Sequence, residues 1–208
     1  MKILHLFHDL MNLYGDYANV LALERALVKA GEEAEIMRRS IGDSLYFSEF
    51  DFIYIGSGTE RNQKAALEYL RDYRDAFKSA VDSGTVVLAT GNSFEIFGKK
   101  ITDRDKKVHT GLDLFDFITE EGAERVVTDS VVEFNGSKLI GFVNKSSGIY
   151  GIKDPLFTVK QGAGNNPKET AAEGIHAGSF YGTHVIGPLL IRNPSMADYF
   201  ADLLLSKR

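Results

Sequence analysis

The stretch "LATGNSFEIFG", residues 88–98, decides how this chain folds. It opens inside the apolar run "TVVLAT" (85–90), which reads as a buried strand, and the residues after Gly91 have the spacing of a short helix over 92–98. A strand that turns sharply into a helix is the corner on which many enzymes mount a nucleophile. The corner residue here is Gly91, which has no side chain to attack with.

Working outward, "KILHLF" (2–7) and "FDFIYIGSG" (50–58) are compact apolar runs that predict buried strands, and "EAEIMRR" (33–39) predicts a weaker one. Between them, 14–31 predicts a helix: Asp16 is its N-cap, Val20, Leu23, Leu27 and Ala30 share one face, and Gly31 ends it. Residues 60–82 predict one long helix with Leu67, Leu70, Phe77, Ala80 and Val81 on a common face. Strands alternating with helices at this rhythm imply βαβ units and a parallel sheet. After about residue 100 the texture changes. "ERVVTDSVVEF", "KLIGFVNK" and "LFTVKQGAG" are β-prone runs separated by Gly, Asn and Ser, as in antiparallel hairpins. A closing helix follows, with Asn193 as N-cap and Pro194 in its first turn. No linker, repeat or low-complexity segment interrupts residues 1–208, so a single domain is expected.

The composition removes several classes of function. A net charge of −5 with no basic tract argues against nucleic acid as the main ligand. No apolar run approaches the roughly 20 residues of a membrane span. The start lacks the long apolar segment and cleavage site of a signal peptide, so a cytoplasmic location is expected. The absence of cysteine excludes disulfides, thiolate metal sites and thiol nucleophiles together.

In open α/β sheets ligands bind beyond the carboxyl ends of the strands. That directs attention to "GSGTERNQ" (56–63) and "TGNSFEIFG" (90–98). These two ends, in this order, resemble class I glutamine amidotransferases of the CobB/CobQ-like (cobyric acid synthase-like) branch, and within it the glutaminase subunits of lipid II isoglutaminyl synthases. "MNLYGDYANVLAL" (11–23) resembles M-N-L-Y-G-D-x-G-N, and "GSGTERNQ" resembles G-G-G-Q-D-R-E-Q. "LIGFVNKSSGIYG" (139–151) is similar to G-F-E-N-H-G-G-R-T, and "GAGNNPKETAAEG" (162–174) to G-x-G-N-N…E-G. "YGTHVIGPLLIRNP" (181–194) is similar to G-T-Y-L-H-G-P-L-L-P-K-N-P. With the elbow, six segments agree in order along nearly the whole chain.

The resemblance implies an α/β, flavodoxin-like amidotransferase domain with an antiparallel β-rich second half. It also implies a Mur-ligase-like synthetase partner, a glutamine-like ligand and no cofactor. In that family a Cys on the elbow attacks the glutamine amide, a His on a distant strand acts as base and then acid, and backbone N–H groups hold the oxyanion. Laid on the family strings, this chain has Gly91 at the nucleophile position and Ile186 at the base position. Thr59 and Glu95 stand where the family has Gln. Gly56, Ser57, Gly58, Thr59, Asn92, Glu95 and Arg125 are the expected substrate-binding residues. Amidation of a cell-wall precursor or a cobyric-acid-type substrate is the implied setting, with this chain as a non-catalytic subunit or binding protein.

The alternative is a hydrolase of altered chemistry using Ser93 and His184. "GNSFE" is not the G-x-S-x-G of serine hydrolases, and Ser93 lies two residues past the corner, where a hydroxyl commonly satisfies a free helix N–H. His184 keeps the idea open, because strand residues i and i+2 share a face, which would point it as Ile186 points, about 7 Å along. His5 and His8 fall on opposite faces of a strand and cannot share a metal unless that strand ends before His8, and His109 and His176 have no acidic or His partner at ligand spacing, so no metal site is expected. "GSG" and "GAGNN" lack the following Lys-Ser/Thr of a phosphate loop. Glu60, Arg61 and Arg125 read as a solvated rim or as polar contacts to a ligand. Tyr14, Gly15, Asp16 and Asn19 read as a turn and helix cap in preference to a functional loop.

Overall fold

The computed structural model describes residues 1–207. In chain order it contains β1 (Lys2–Leu6), α1 (Tyr17–Lys29), β2 (Glu35–Arg39), β3 (Phe52–Ile55), α2 (Glu60–Arg71), α3 (Arg74–Asp82) and β4 (Val86–Thr90). The second half adds β5 (Lys100–Thr102), β6 (Val108–Thr110), β7 (Ile118–Phe134), β8 (Ser137–Tyr150) and β9 (Phe157–Gln161). It closes with β10 (Ala172–Glu173), β11 (Ile175–Ala177), β12 (Phe180–Thr183), β13 (Val185–Ile186), α4 (Leu189–Arg192) and α5 (Pro194–Leu205).

The first sheet has the order β11-β12-β4-β3-β1-β2, and all its pairings are parallel except β11 with β12. Every residue of β3 and β4 is buried, as expected of central parallel strands covered on both faces. One core cluster joins α1 and α5 to one face, with Leu23, Tyr54 and Phe200. A second fills the other face, with Leu67, Phe77 and Phe97. The fold is α/β, and β3 and β4 end side by side.

The expected helix over 60–82 is two helices. Asp72 and Tyr73 break it, Tyr73 having left helical geometry at φ −108° and ψ 6°. The break lets Phe77 pack on Phe47 and Phe97, both at 4.9 Å between ring centroids, while Arg74 donates to the carbonyls of Leu112 and Asp113. Aromatic packing here overrides a helical periodicity that continues through the break. The short helix expected at 92–98 is a 3-10 helix over Gly91–Phe97.

The second half is organised by one long hairpin, β7 with β8, whose register shifts between Glu121 and Val126. The expected i, i+2 relation between His184 and Ile186 does not hold. Thr183 pairs with Thr90 in the first sheet, whereas Val185 and Ile186 pair with Val143 and Phe142 of β8 in the second. His184 is the residue at which the chain changes sheets, so no single strand carries both side chains. Asp16 sits at the N-cap position of α1 but its side chain makes no capping bond there; Asn12 Oδ1 accepts from Tyr17 N instead. His109, expected to lack an acidic partner, lies 2.8 Å from Asp103 Oδ2.

Candidate active site

The loop after β3 and the elbow after β4 are fastened together. Gly58 N–H donates to Asn92 Oδ1 and Asn92 Nδ2 donates back to Gly58 O, both at 3.0 Å. Thr59 caps α2, its hydroxyl oxygen accepting from Asn62 N at 3.1 Å. Gly56 is closed to any side chain, since a Cβ there would lie 2.5 Å from Met11 O. Beneath the loop, Asp16 Oδ2 accepts the Ser57 N–H at 2.6 Å. The carboxyl of Asp16 is thus a strut for the loop after β3.

Gly91 adopts φ +67°, a left-handed conformation that glycine tolerates best. A Cβ at Gly91 would collide with Ser57 Oγ and lie 2.7 Å from Ser57 Cβ. The space a nucleophile's side chain would enter is therefore occupied by Ser57.

A cavity of about 210 Å³ opens here, lined among others by Ser57, Thr59, Gly91, Asn92, Glu95 and Arg125. Arg125 donates to Glu60 Oε1 at 2.5 Å and to Asn144 Oδ1 at 2.9 Å, while Asn144 Nδ2 donates to Tyr14 Oη at 2.8 Å. The rim thus presents a guanidinium whose carboxylate partner is on α2. Tyr14, read from the sequence as part of a turn and cap, also lines this cavity.

The inner wall holds Glu95. Its Oε1 accepts from His184 Nε2 at 2.8 Å and Ser147 Oγ at 2.5 Å, and its Oε2 accepts from Gln63 Nε2 at 2.8 Å. Burial lowers the His184 pKa and the charge of Lys145 lowers it further, against the Glu95 hydrogen bond that raises it. The imidazole is therefore neutral and directed at Glu95. Ser93 is buried and donates to the carbonyls of Ile55 at 3.0 Å and Thr90 at 2.9 Å. Ser93 and His184 are not hydrogen-bonded to one another, and neither they nor the buried Ile186 line the cavity. Among the described residues, no group of three His, Cys, Asp or Glu is placed to hold a metal ion.

Lys145 is a site residue that the sequence reading misses. It follows Leu139, Gly141 and Val143 on the inward face of β8, so a buried lysine was legible from the alternation. Its Nζ donates to the carbonyls of Gly164 at 2.7 Å and Asn165 at 3.0 Å.

Burial raises the Asp16 pKa to about 7, against the N–H and hydroxyl of Ser57 and the hydroxyl of Tyr54, which favour the charged form. The folded state consequently binds this proton more tightly than the unfolded chain. Its contribution to stability is fully present below about pH 4 and is lost as pH rises towards 7. Between pH 4.5 and 7.5, the unmodified protein should lose stability relative to Asp16→Asn, by at most about 4 kcal/mol. Urea melts of both proteins across that range measure the difference, and parallel profiles would show that Asp16 does not titrate there.

The comparisons with known proteins agree with this geometry. Residues 2–194 match the CobB/CobQ-like glutamine amidotransferase domain. The chain is 30% identical to the lipid II isoglutaminyl synthase (glutamine-hydrolyzing) subunit GatD of Staphylococcus aureus, over 97% of this chain and 83% of that protein. It is 27% identical to GatD of Streptococcus pneumoniae, over 100% of this chain and 82% of that one. A crystal structure of a glutamine amidotransferase superposes with a TM-score of 0.63 at 15% identity, covering 97% of this chain and 98% of the other. The glutaminase domain of Trypanosoma brucei CTPS, with bound acivicin, gives 0.60 at 9% identity, covering 100% and 95%. A family match across nearly the whole chain, with the glycine loop and elbow at adjacent strand ends, places this protein in the CobB/CobQ-like glutamine amidotransferase family.

Proposed function

We propose that this chain is the glutaminase-type subunit of an assembly like lipid II isoglutaminyl synthase, in which the thiol-dependent step has been lost and a ligand-binding role retained. The observation that carries the reading is the pairing of Gly91 with Ser57. The elbow has no nucleophile, and the serine beside it fills the space that one would need. Around that centre the Gly58–Asn92 clasp and the Arg125 rim remain built. The cavity suits a small amino-acid amide, its carboxylate drawn to Arg125 and its amide donating to Glu95. On this reading the chain works in the cytoplasm as one domain beside a Mur-ligase-like synthetase.

The hydrolase alternative built on Ser93 and His184 gains no support, since the Ser93 hydroxyl is committed to two carbonyls and the His184 ring to Glu95. Titration calorimetry with L-glutamine, paired with an ammonia assay on the same samples, tests the proposal. Saturable binding without ammonia release, weakened at least tenfold by Arg125→Ala, is the expected result. No binding with or without a co-expressed Mur-ligase-like protein would overturn it.

A further inference from the structure

The sequence raises the question of a serine replacing the lost nucleophile and points to Ser93. The structure answers with a different residue. Ser57 lines the cavity, and its Oγ lies within collision distance of a Cβ at Gly91. Among the described residues its only hydrogen bond to a carbonyl is a long one, 3.5 Å to Thr90 O. Ser93, by contrast, is outside the cavity and held by two shorter bonds. The Ser57 backbone is fixed by Asp16 Oδ2, and Asp16 Oδ1 is buried without a hydrogen-bond partner. The Ser57 hydroxyl, with no short bond to a carbonyl, thus adjoins the Asp16 carboxyl, whose charged form it favours, at the place where the family chemistry is centred.

We propose that Ser57 is the nucleophilic hydroxyl of this cavity, with Asp16 as its proton acceptor, and that the site takes small activated acyl esters. In the step, Ser57 Oγ bonds to the acyl carbon and its proton passes to the Asp16 carboxylate. The bond from the acyl carbon to the leaving oxygen breaks, and the leaving group departs with that electron pair as a phenoxide or a comparably stabilised oxyanion. Water later hydrolyses the serine ester, returning the acid and the free hydroxyl. Esters rather than amides fit because a good oxygen leaving group departs without protonation, and His184 is neither in the cavity nor free of Glu95. The carboxyl is poised for this, since its pKa near 7 leaves it both basic and substantially ionised at neutral pH. The titratable group facing it is Tyr54, whose own pKa burial raises well above its usual value, so it stays neutral there.

The test is labelling with an ethyl fluorophosphonate, followed by intact mass and peptide mapping. Phosphorus bonds to the serine oxygen, fluoride leaves and the proton is taken up by Asp16. One adduct on Ser57 is expected, absent from Ser57→Gly and undiminished in Ser93→Ala. The labelling rate should climb between pH 6 and 8, and Asp16→Asn, which keeps an acceptor for the Ser57 N–H, should be at least tenfold slower with a flat profile. No adduct, an adduct on another residue, or an unchanged rate in Asp16→Asn would overturn the proposal. L-glutamine binding by the unmodified protein, measured in parallel, keeps its failure distinct from failure of the binding role.

Discussion

A cysteine installed at position 91 should destabilise the fold by about 2–5 kcal/mol. Two physical terms add. The backbone there is left-handed, at φ +67°, which a non-glycine residue adopts at about 1–2 kcal/mol. The new Cβ would also collide with Ser57, whose Oγ and Cβ fill its space, an overpacking worth about 1–3 kcal/mol. Ser57→Gly removes only the second term. In a double-mutant cycle by chemical denaturation, Ser57→Gly should recover about 1–3 kcal/mol of the loss, so the two changes are strongly coupled. Additive effects would show that Ser57 moves aside freely and that the two positions have not adjusted to one another.

Glutamine hydrolysis should then need three changes together: Ser57→Gly, Gly91→Cys and Ile186→His. Gly91→Cys alone places a thiol in an occupied space with no imidazole to take its proton or return it to the departing amine. His184 does not substitute, because its Nε2 is hydrogen-bonded to Glu95. A positioned acid–base group contributes about 10²–10⁴-fold, so the triple variant should release ammonia at least about 10²-fold faster than Ser57→Gly/Gly91→Cys. Initial rates for the unmodified protein, each single change, the double and the triple form the measurement. Equal rates in the double and triple variants would show that position 186 is not where this fold mounts its base. Ammonia release by the unmodified protein would remove the case for a lost thiol-dependent step.

Much of this is legible in the sequence itself. The apolar runs at 2–7, 50–58 and 85–90 mark the parallel strands because strands buried on both faces read as continuous hydrophobic stretches. The glycines ending the second and third of these runs mark where the backbone must turn or approach closely, and six ordered segments carry the family. The resemblance is what lays the family's two reacting groups on Gly91 and Ile186, as residue identities alone.

What local pattern could not carry was anything set by two distant segments meeting. The break at Tyr73 follows from Phe47 and Phe97 packing on Phe77. Asp16 looks like a helix cap by position, yet its carboxyl holds Ser57, forty-one residues away. His184 shares a strand with Ile186 on paper, but its backbone leaves one sheet for another there. Above all, Ser57 and Gly91 are ordinary loop residues in the sequence. Only the parallel pairing of β3 with β4 sets the Ser57 side chain in the space beside Gly91. Sequence determines which groups exist and the period on which they repeat. Excluded volume and the dry interior, which act only once the chain has closed, decide which of them share a space and which proton each one holds.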